Sequence, residues 1–482
     1  MTVQSKFTDE ARVVLANIAS RAGSVFSPTI RLGVTGLSRS GKSVFITALI
    51  HNLINGGRLP LFGAFAENRI SRAYLEPQPD DNVPRFAYED HVERLMTDRA
   101  WPEGTKSVSQ VRLTIEYESA NSWSQLVGGN KLHLDIVDYP GEWLLDLPLL
   151  DKSFTQFSVD ALEHTQGPNR EKIAKPFLDL ADKIDPHADA DEKAVRELSD
   201  AYKTYLAACR EDGFALSTLP PGRFLMPGDL ADSPALTFAP LKHVASRAKA
   251  GSMQAIMQRR YEAYKDIVVR PFFREHVTRL DRQIVLIDAM QAINAGGDAL
   301  RDLEDALGEV LACFRPGVGN MITSLWQRRI DRVLLAATKA DHVHHENHER
   351  MEKLVEMLAE SAKQRAGRTG ASVKTVALSA VRATREGTIE DKDETLPVII
   401  GVPVKGEKMG RTVFDGERET AIFPGDLPDD LTTLFEPRGT QAQRFVKMRP
   451  PELEHDAHGK SLSLPHIRLD KALQYLIGDR LA

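Results

Sequence analysis

Cysteine is nearly absent from this chain: Cys209 and Cys313 are its two examples among 482 residues. Both fall in helical-looking segments, which argues against a disulfide framework or a cysteine-based metal site and fits a reducing compartment. No run comes near the roughly 20 consecutive apolar residues that cross a bilayer, and the N-terminus lacks the apolar core of a signal peptide. Positive charge is not in excess either. Formal net charge is −6, with Lys and Arg spread along the chain rather than blocked, which argues against nucleic acid as the main partner. What is present, 42% hydrophobic and 27% charged residues, is ordinary for a globular protein, and the length asks for a core domain with additions.

The most informative stretch runs from Thr29 to Leu49. Gly36, Gly41, Lys42 and Ser43 fit the pattern G-x-x-x-x-G-K-[ST], with an alternating apolar strand before it and an apolar helical run after it. Such a loop wraps backbone N–H groups around terminal phosphates, and glycine permits the close approach. The loop residues Gly36, Ser38, Arg39, Ser40, Gly41, Lys42, Ser43 and Val44 are therefore candidate nucleotide contacts. The Lys42 ammonium is suited to the β and γ phosphates, the Ser43 hydroxyl to Mg²⁺, and the helix dipole adds positive potential.

Ahead of this loop, Phe7, Ala11, Val14, Ile18, Ala22 and Val25 sit at helical spacing, so residues 1–28 read as an amphipathic helix packed on the main domain. After it, a helix to about Asn55 ends at Gly56-Gly57. The polar stretch Arg58 to Lys106 carries helical pieces near Phe65 to Tyr74 and Tyr88 to Arg99. Val111, Leu113, Ile115 and Tyr117 then alternate, as do Leu132, Leu134 and Ile136, which predicts an antiparallel hairpin. It leads into Asp138-Tyr139-Pro140-Gly141-Glu142. The Asp138 carboxylate is suited to hold Mg²⁺ and the Gly141 N–H to meet the γ phosphate.

Residues 143–280 read as a helical insertion, with candidates Pro176 to Ile184, Glu192 to Arg210, Leu241 to Asp266 and Val268 to Leu280. Asp288 closes the strand Ile284 to Ile287 and is given ordinary loop chemistry. Arg332 to Ala337 predicts a strand ending in Thr338-Lys339-Ala340-Asp341. An Asp here can accept from the N1 and 2-amino edge of guanine while the Lys339 stem covers the base; adenine lacks that donor pair. His342, His344, His345 and His348 follow without a matching carboxylate or cysteine set and read as the polar start of a helix, Glu349 to Lys363. A last strand, Lys374 to Leu378, ends in Ser379, Ala380 and Val381, where a backbone N–H can face the guanine O6. Residues 384–465 read as a small β-rich appendage, and Arg468 to Ile477 as a closing helix. The units expected are thus 1–28, 29–142, 143–280, 281–383, 384–465 and 466–482.

The ordered motifs resemble the G domain of translation-factor-like and Ras-like GTPases. The hairpin between the first two sets the chain apart from RecA-like ATPases, whose core strands are all parallel. The whole chain more closely resembles the YcjX family of bacterial P-loop proteins, on Val34 to Ser43, Asp138 to Trp143 and Thr338 to Val343. The fold this implies is an α/β P-loop G-domain-like mixed sheet with one antiparallel strand, plus a helical insertion and a β-rich appendage. The resemblance also implies GTP/GDP with Mg²⁺, a stress-associated setting, a cytoplasmic place and an inner-membrane neighbour of the YcjF type.

Two residues depart from the usual GTPase pattern: Thr338 stands where Asn is usual, and Glu142 where Ras-like proteins carry the water-orienting Gln. Glu142 is either that orienting group or a solvated loop charge. Thr105, with Thr97 as the other choice, is the candidate switch contact to the metal, and Arg39 or a partner's arginine is the counter-charge for phosphoryl transfer. Together these residues point to a slow GTPase switch. An ATPase or a non-hydrolysing, nucleotide-stabilised scaffold stands as the alternative.

Overall fold

The computed structural model describes residues 28–36, 39–104, 107–119, 130–166, 170–211, 214–217, 219–313, 330–366, 371–391, 394–436, 445–453 and 463–482. The amphipathic segment before Pro28 lies outside them. Seven strands make the central sheet: β1 (Thr29–Gly36), β2 (Ile70–Glu76), β3 (Ser109–Tyr117), β4 (Asn130–Asp138), β5 (Arg282–Ile287), β6 (Arg332–Ala337) and β7 (Ser372–Ala377). Their spatial order is β2-β3-β4-β1-β5-β6-β7. Strands β4, β1, β5, β6 and β7 pair in parallel, while β3 pairs antiparallel with both β4 and β2. Strand β3 is therefore the reversed strand of an otherwise parallel sheet, as the hairpin pattern predicts.

Burial on both faces follows from the alternation of side chains along each strand. Ile284, Leu286, Leu334 and Ala336 share one core with the helix after the loop, α1 (Lys42–Ile54), while Val285, Ile287, Val333 and Leu335 belong to the other. The hairpin residues Val111, Leu113, Ile115, Leu132, Leu134 and Ile136 all join the α1 side.

One local expectation fails at the sheet edge. Phe65 to Tyr74 is not helical throughout: a single turn, Gly63–Ala66, gives way at Asn68 (φ 55°) to β2, whose ladder runs from Ile70 opposite Tyr117 to Glu76 opposite Arg112. Pairing with the open edge of β3, reinforced by the Arg72 guanidinium on Glu116 at 2.6 and 2.9 Å, overrides the local pattern. The helix expected next is α2 (Tyr88–Met96).

Between β4 and β5 the longer described helices are α3 (Phe154–Glu163), α4 (Glu171–Ala181), α5 (Glu192–Cys209) and α6 (Met253–Tyr264). Helix α4 begins before Pro176 and carries it inside. The segment from Leu241 to Gly251 is irregular, because the backbone turns left-handed at Gly251 (φ 77°) and Ser252 caps α6. Helix α6 runs on through a π turn, Lys265–Val269, into Arg270–Glu275, so the two expected helices join, and the second stops at Glu275 before a 3₁₀ turn, Val277–Arg279.

After β5 come α7 (Ala289–Ala295) and α8 (Gly297–Ala312), and between β6 and β7 lies α9 (His348–Ala366). The appendage contains a three-stranded antiparallel sheet of β8 (Arg385–Asp391), β9 (Glu394–Gly401) and β12 (Thr420–Ile422), and a two-stranded one of β10 (Lys408–Met409) and β11 (Thr412–Val413). The closing helix, α10 (Leu469–Ile477), packs Leu469, Ala472, Leu473 and Leu476 into the α1-side core. Arg282, wholly buried in β5, fixes its end by donating to the Leu476 carbonyl at 2.9 Å and to Asp479 at 3.0 and 2.9 Å.

Candidate functional site

The site lies along the C-terminal ends of β1, β4, β5, β6 and β7, where parallel strands hand over to loops. At β1 the turn is made by glycine for definite reasons. A Cβ on Gly36 would come within 2.2 Å of the Ser40 hydroxyl and 2.6 Å of the Leu286 carbonyl, and Gly41, the residue before α1, has φ 86°. Arg39 also takes a left-handed backbone, φ 60°. Lys42 is buried and donates to the Gly36 carbonyl at 2.9 Å, curling over the loop. Ser43 donates to the carbonyl of Glu103 at 3.1 Å. Ser40 is 1% exposed, and its hydroxyl has no hydrogen-bond partner among the described residues. A glycine-dependent cradle with a buried lysine and an orphaned hydroxyl fits a phosphate group. Val44 is half-buried in the first turn of α1. Ser38 and Thr105 lie outside the described residues. Thr97 caps the end of α2, whereas Glu103, two residues before Thr105, touches Ser43.

At β4 the strand ends in buried Asp138, which pairs in register with Val34 of β1 and so stands beside the loop. Gly141 and Glu142 open a tight 3₁₀ segment, Gly141–Asp151, that plunges into the helical insertion. Glu142 is 3% exposed and pairs with Arg210, at the end of α5, at 3.3 Å. It is not a solvated loop charge. A cleft lined by Arg39, Glu142, Arg210, Leu219, Asp288 and Gln291 joins the loop to the insertion.

The insertion grips this segment closely. A Cβ on Gly222 would come within 2.1 Å of the Glu142 carbonyl, and the Gly222 N–H donates to Asp146 at 2.7 Å. The Tyr264 hydroxyl donates to the other Asp146 oxygen at 2.5 Å. Burial pushes the Asp146 carboxyl up to about 7, although the bonds from Tyr264 and Gly222 favour the ionised form. Arg223 stacks 3.2 Å from the Trp143 ring centre, and Trp143 donates to the Met226 carbonyl at 3.3 Å.

At β6, Thr338 donates through both its N–H (2.9 Å) and hydroxyl (3.2 Å) to the Ile287 carbonyl, tying the motif to the end of β5. Lys339 takes a left-handed backbone and its ammonium pairs with Asp288. Asp288 thus does more than ordinary loop chemistry: it caps α7 through the Gln291 N–H at 3.2 Å and also holds Lys339. Asp341 is buried, and one of its oxygens accepts the Ala383 N–H at 2.8 Å. The Thr384 hydroxyl donates to the Asp341 backbone carbonyl at 2.5 Å. At β7, the Ser379 N–H goes to the Ile467 carbonyl at 3.0 Å and its hydroxyl to the Val381 carbonyl at 2.9 Å, while Ala380 and Val381 are buried.

The fold therefore gathers the phosphate loop, Asp138 with Gly141, Thr338 to Asp341 and Ser379 to Val381 along one edge. It adds three residues that the sequence reading passed over: Arg210, Asp288 as the partner of Lys339, and Ala383, which orients Asp341. Arg210 sits in an ordinary helical pattern 68 residues after Glu142 in the numbering, and no local signal marks it.

A glycine-bounded cradle between a central parallel strand and a helix, followed by acidic strand ends on a mixed sheet with one reversed strand, defines a P-loop α/β protein with a G-domain-like fold. The comparisons agree at a finer level. Residues 30–481 match the YcjX-like family, DUF463. The chain is 37% identical over 466 residues to the Ras-like GTPase YcjX of Escherichia coli K12, covering 94% of this chain and 96% of that one. It is 32% identical over 499 residues to the Ras-like GTPase YcjX of Shewanella oneidensis MR-1, covering 99% and 98%. The chain belongs to the YcjX-like family. Among the described residues no helix is long and apolar enough to cross a membrane.

Proposed function

We propose that this chain is a slow, Mg²⁺-dependent GTPase whose nucleotide state is relayed to the helical insertion. The observation that carries the base assignment is Asp341, buried at a strand end with one carboxylate oxygen fixed by the Ala383 N–H. The carboxylate is oriented before any ligand arrives and is suited to the two adjacent donors of guanine. Lys339 would flank the base, and Ala380 or Val381 would offer an N–H to O6, because Ser379 already spends its own on Ile467. The names of the relatives, Ras-like GTPases, support the same reading.

Gly36, Ser38, Arg39, Ser40, Gly41, Lys42, Ser43, Val44 and Gly141 would surround the phosphates. Ser43, Asp138 and Thr105 would hold Mg²⁺, whose bound charge neutralises that developing on the phosphate oxygens. For the chemical step, Glu142 would orient the attacking water. Its own negative charge beside a phosphate needs an offset, and Arg210 supplies one from 3.3 Å. With Arg39 in the same cleft, an arginine in cis would come from the loop or from the insertion, with a partner's arginine as the other source.

Binding of GTP and ATP to the wild type and to Asp341→Asn tests the base assignment. We expect a GTP preference that weakens by at least about 10-fold in the variant; an unchanged preference overturns it. Single-turnover phosphate release with and without Mg²⁺, and with Glu142→Ala, tests hydrolysis. No Mg²⁺-dependent release would favour a nucleotide-stabilised scaffold.

A further inference from the structure

The histidines after Asp341 read from sequence as lacking a carboxylate set, and the fold supplies one. His344, His345 and Glu346 place one ligand atom each within 4.8 Å of one another. His344 is 8% exposed, and its Nδ1 is buried with no hydrogen-bond partner among the described residues, 3.6 Å from the Glu346 carboxylate. A buried imidazole nitrogen left without a partner costs on the order of 1–3 kcal/mol, which is tolerated where something else is meant to meet it. Glu386, from β8 of the appendage, stands 2.7 Å from His345 Nδ1 and 3.9 Å from His344 Nε2. The two rings lie 4.2 Å apart, centre to centre.

We propose that His344, His345 and Glu346 form a site for a borderline divalent metal of the Zn²⁺ class, with Glu386 as the carboxylate that orients the histidine rings. Two imidazoles and one carboxylate favour Zn²⁺ over Mg²⁺ or Ca²⁺, which prefer all-oxygen sets. Bonds of about 2.0–2.2 Å around such an ion would separate the ligand atoms by about 3.3–3.6 Å. The 3.6 Å spacing already present meets that, and the exposed side chains of His345 and Glu346 can close the rest. A carboxylate against a ligating imidazole is the usual outer partner that sets the ring's tautomer. Water would complete the coordination, because Glu346 and His345 face solvent. The site joins two parts of the fold: its ligands follow the base-recognition turn at Asp341, and Glu386 belongs to the appendage. Its loading would pin the appendage against that turn.

The test uses the full chain, stripped with chelator and then titrated with Zn²⁺ alone in excess Mg²⁺, so that oxygen-ligand sites are already served. We expect one equivalent of Zn²⁺ bound, a rise in melting temperature with Zn²⁺, and loss of both in His344→Ala. Glu346→Gln, on the exposed side, keeps the metal-free melting temperature of the wild type yet loses the Zn²⁺-dependent rise. Glu386→Gln weakens binding by about 10- to 100-fold. His187→Ala, at an exposed histidine elsewhere, changes nothing. Absence of stoichiometric binding by the wild type, or binding unaltered in both His344→Ala and Glu346→Gln, overturns the proposal.

Discussion

The two ends of the proposed nucleotide site are held by different parts of the molecule. At the base end, Lys339 is held by Asp288 and Thr338 by Ile287 at strand ends of the central sheet, and Asp341 by Ala383 and Thr384 in the turn that leads from β7 to β8. At the phosphate end, Glu142 is held by Arg210 and Gly222 of the insertion, and Ser43 by the Glu103 carbonyl. The base end is thus pre-organised by the ends of the central strands and by the turn into the appendage. The phosphate end is shared between the loop and segments that carry their own helices, and binding there must exchange contacts worth about 1 kcal/mol each. A nucleotide would therefore be recognised at one end and reported at the other.

The sharpest way to break the contrast is Arg210→Gln. If the insertion supplies the transition-state charge, single-turnover hydrolysis falls by about 10³-fold while GTP affinity stays within a few-fold. A fall of less than 10-fold would assign the charge to Arg39 or to a partner. Lys42→Ala comes next. It removes a buried ammonium from the cradle and should weaken binding of both GTP and ATP by about 100-fold, without altering their ratio, because the base end is untouched. A change in that ratio, read by equilibrium titration, would mean that the two ends are not separable.

The sheet and the motif loops were legible because their signals are local. Alternation placed Val111, Leu113 and Ile115 on one buried face, and the glycine spacing marked the cradle. What was not legible depends on partners remote in the chain. Strand β2 has a weak pattern of its own and is made by the free edge of β3. The fate of Glu142 was decided by α5, and that of Asp341 by the turn after β7. Glu386 is 40 residues from Glu346 in the numbering, so the carboxylate beside the histidines became visible only once β8 was placed.

Gly222→Ala tests the grip of the insertion on the phosphate end. The new methyl would stand 2.1 Å from the Glu142 carbonyl, and backbone on both sides must shift. Such overpacking costs about 1–3 kcal/mol. We expect a melting temperature lower by a few degrees and hydrolysis slowed by about 10-fold, with the preference for GTP over ATP intact. Loss of that preference would show the insertion to control the base end as well.

The smallest effect concerns Asp146, which fastens the Gly222 turn to the segment after Glu142. Its carboxyl titrates near 4 in an unfolded chain and, through burial, near 7 in the folded one. Below about pH 4 both states are protonated and the stabilisation due to this difference is complete. As pH rises toward 7 only the unfolded state gives up its proton, so stability falls, at about 1.4 kcal/mol per pH unit within that window. Glu309, also raised by burial to about 7, acts in the same direction, whereas His276, pushed down to about 4 by burial, acts in the opposite one below its ordinary value. The difference between wild type and Asp146→Asn isolates the one group. Asparagine keeps an oxygen for the Gly222 N–H or the Tyr264 hydroxyl and carries no charge, so its melting temperature should gain on that of the wild type by roughly 2 °C per unit between pH 5 and 7. Because Asp146 sits behind Glu142 and far along the chain from Asp341, the same pH series should shift hydrolysis in the wild type without shifting the GTP to ATP binding ratio. A parallel pH dependence of the two proteins would mean that the carboxylate is ionised in the folded state, held so by Tyr264, Gly222 and the nearby Arg223.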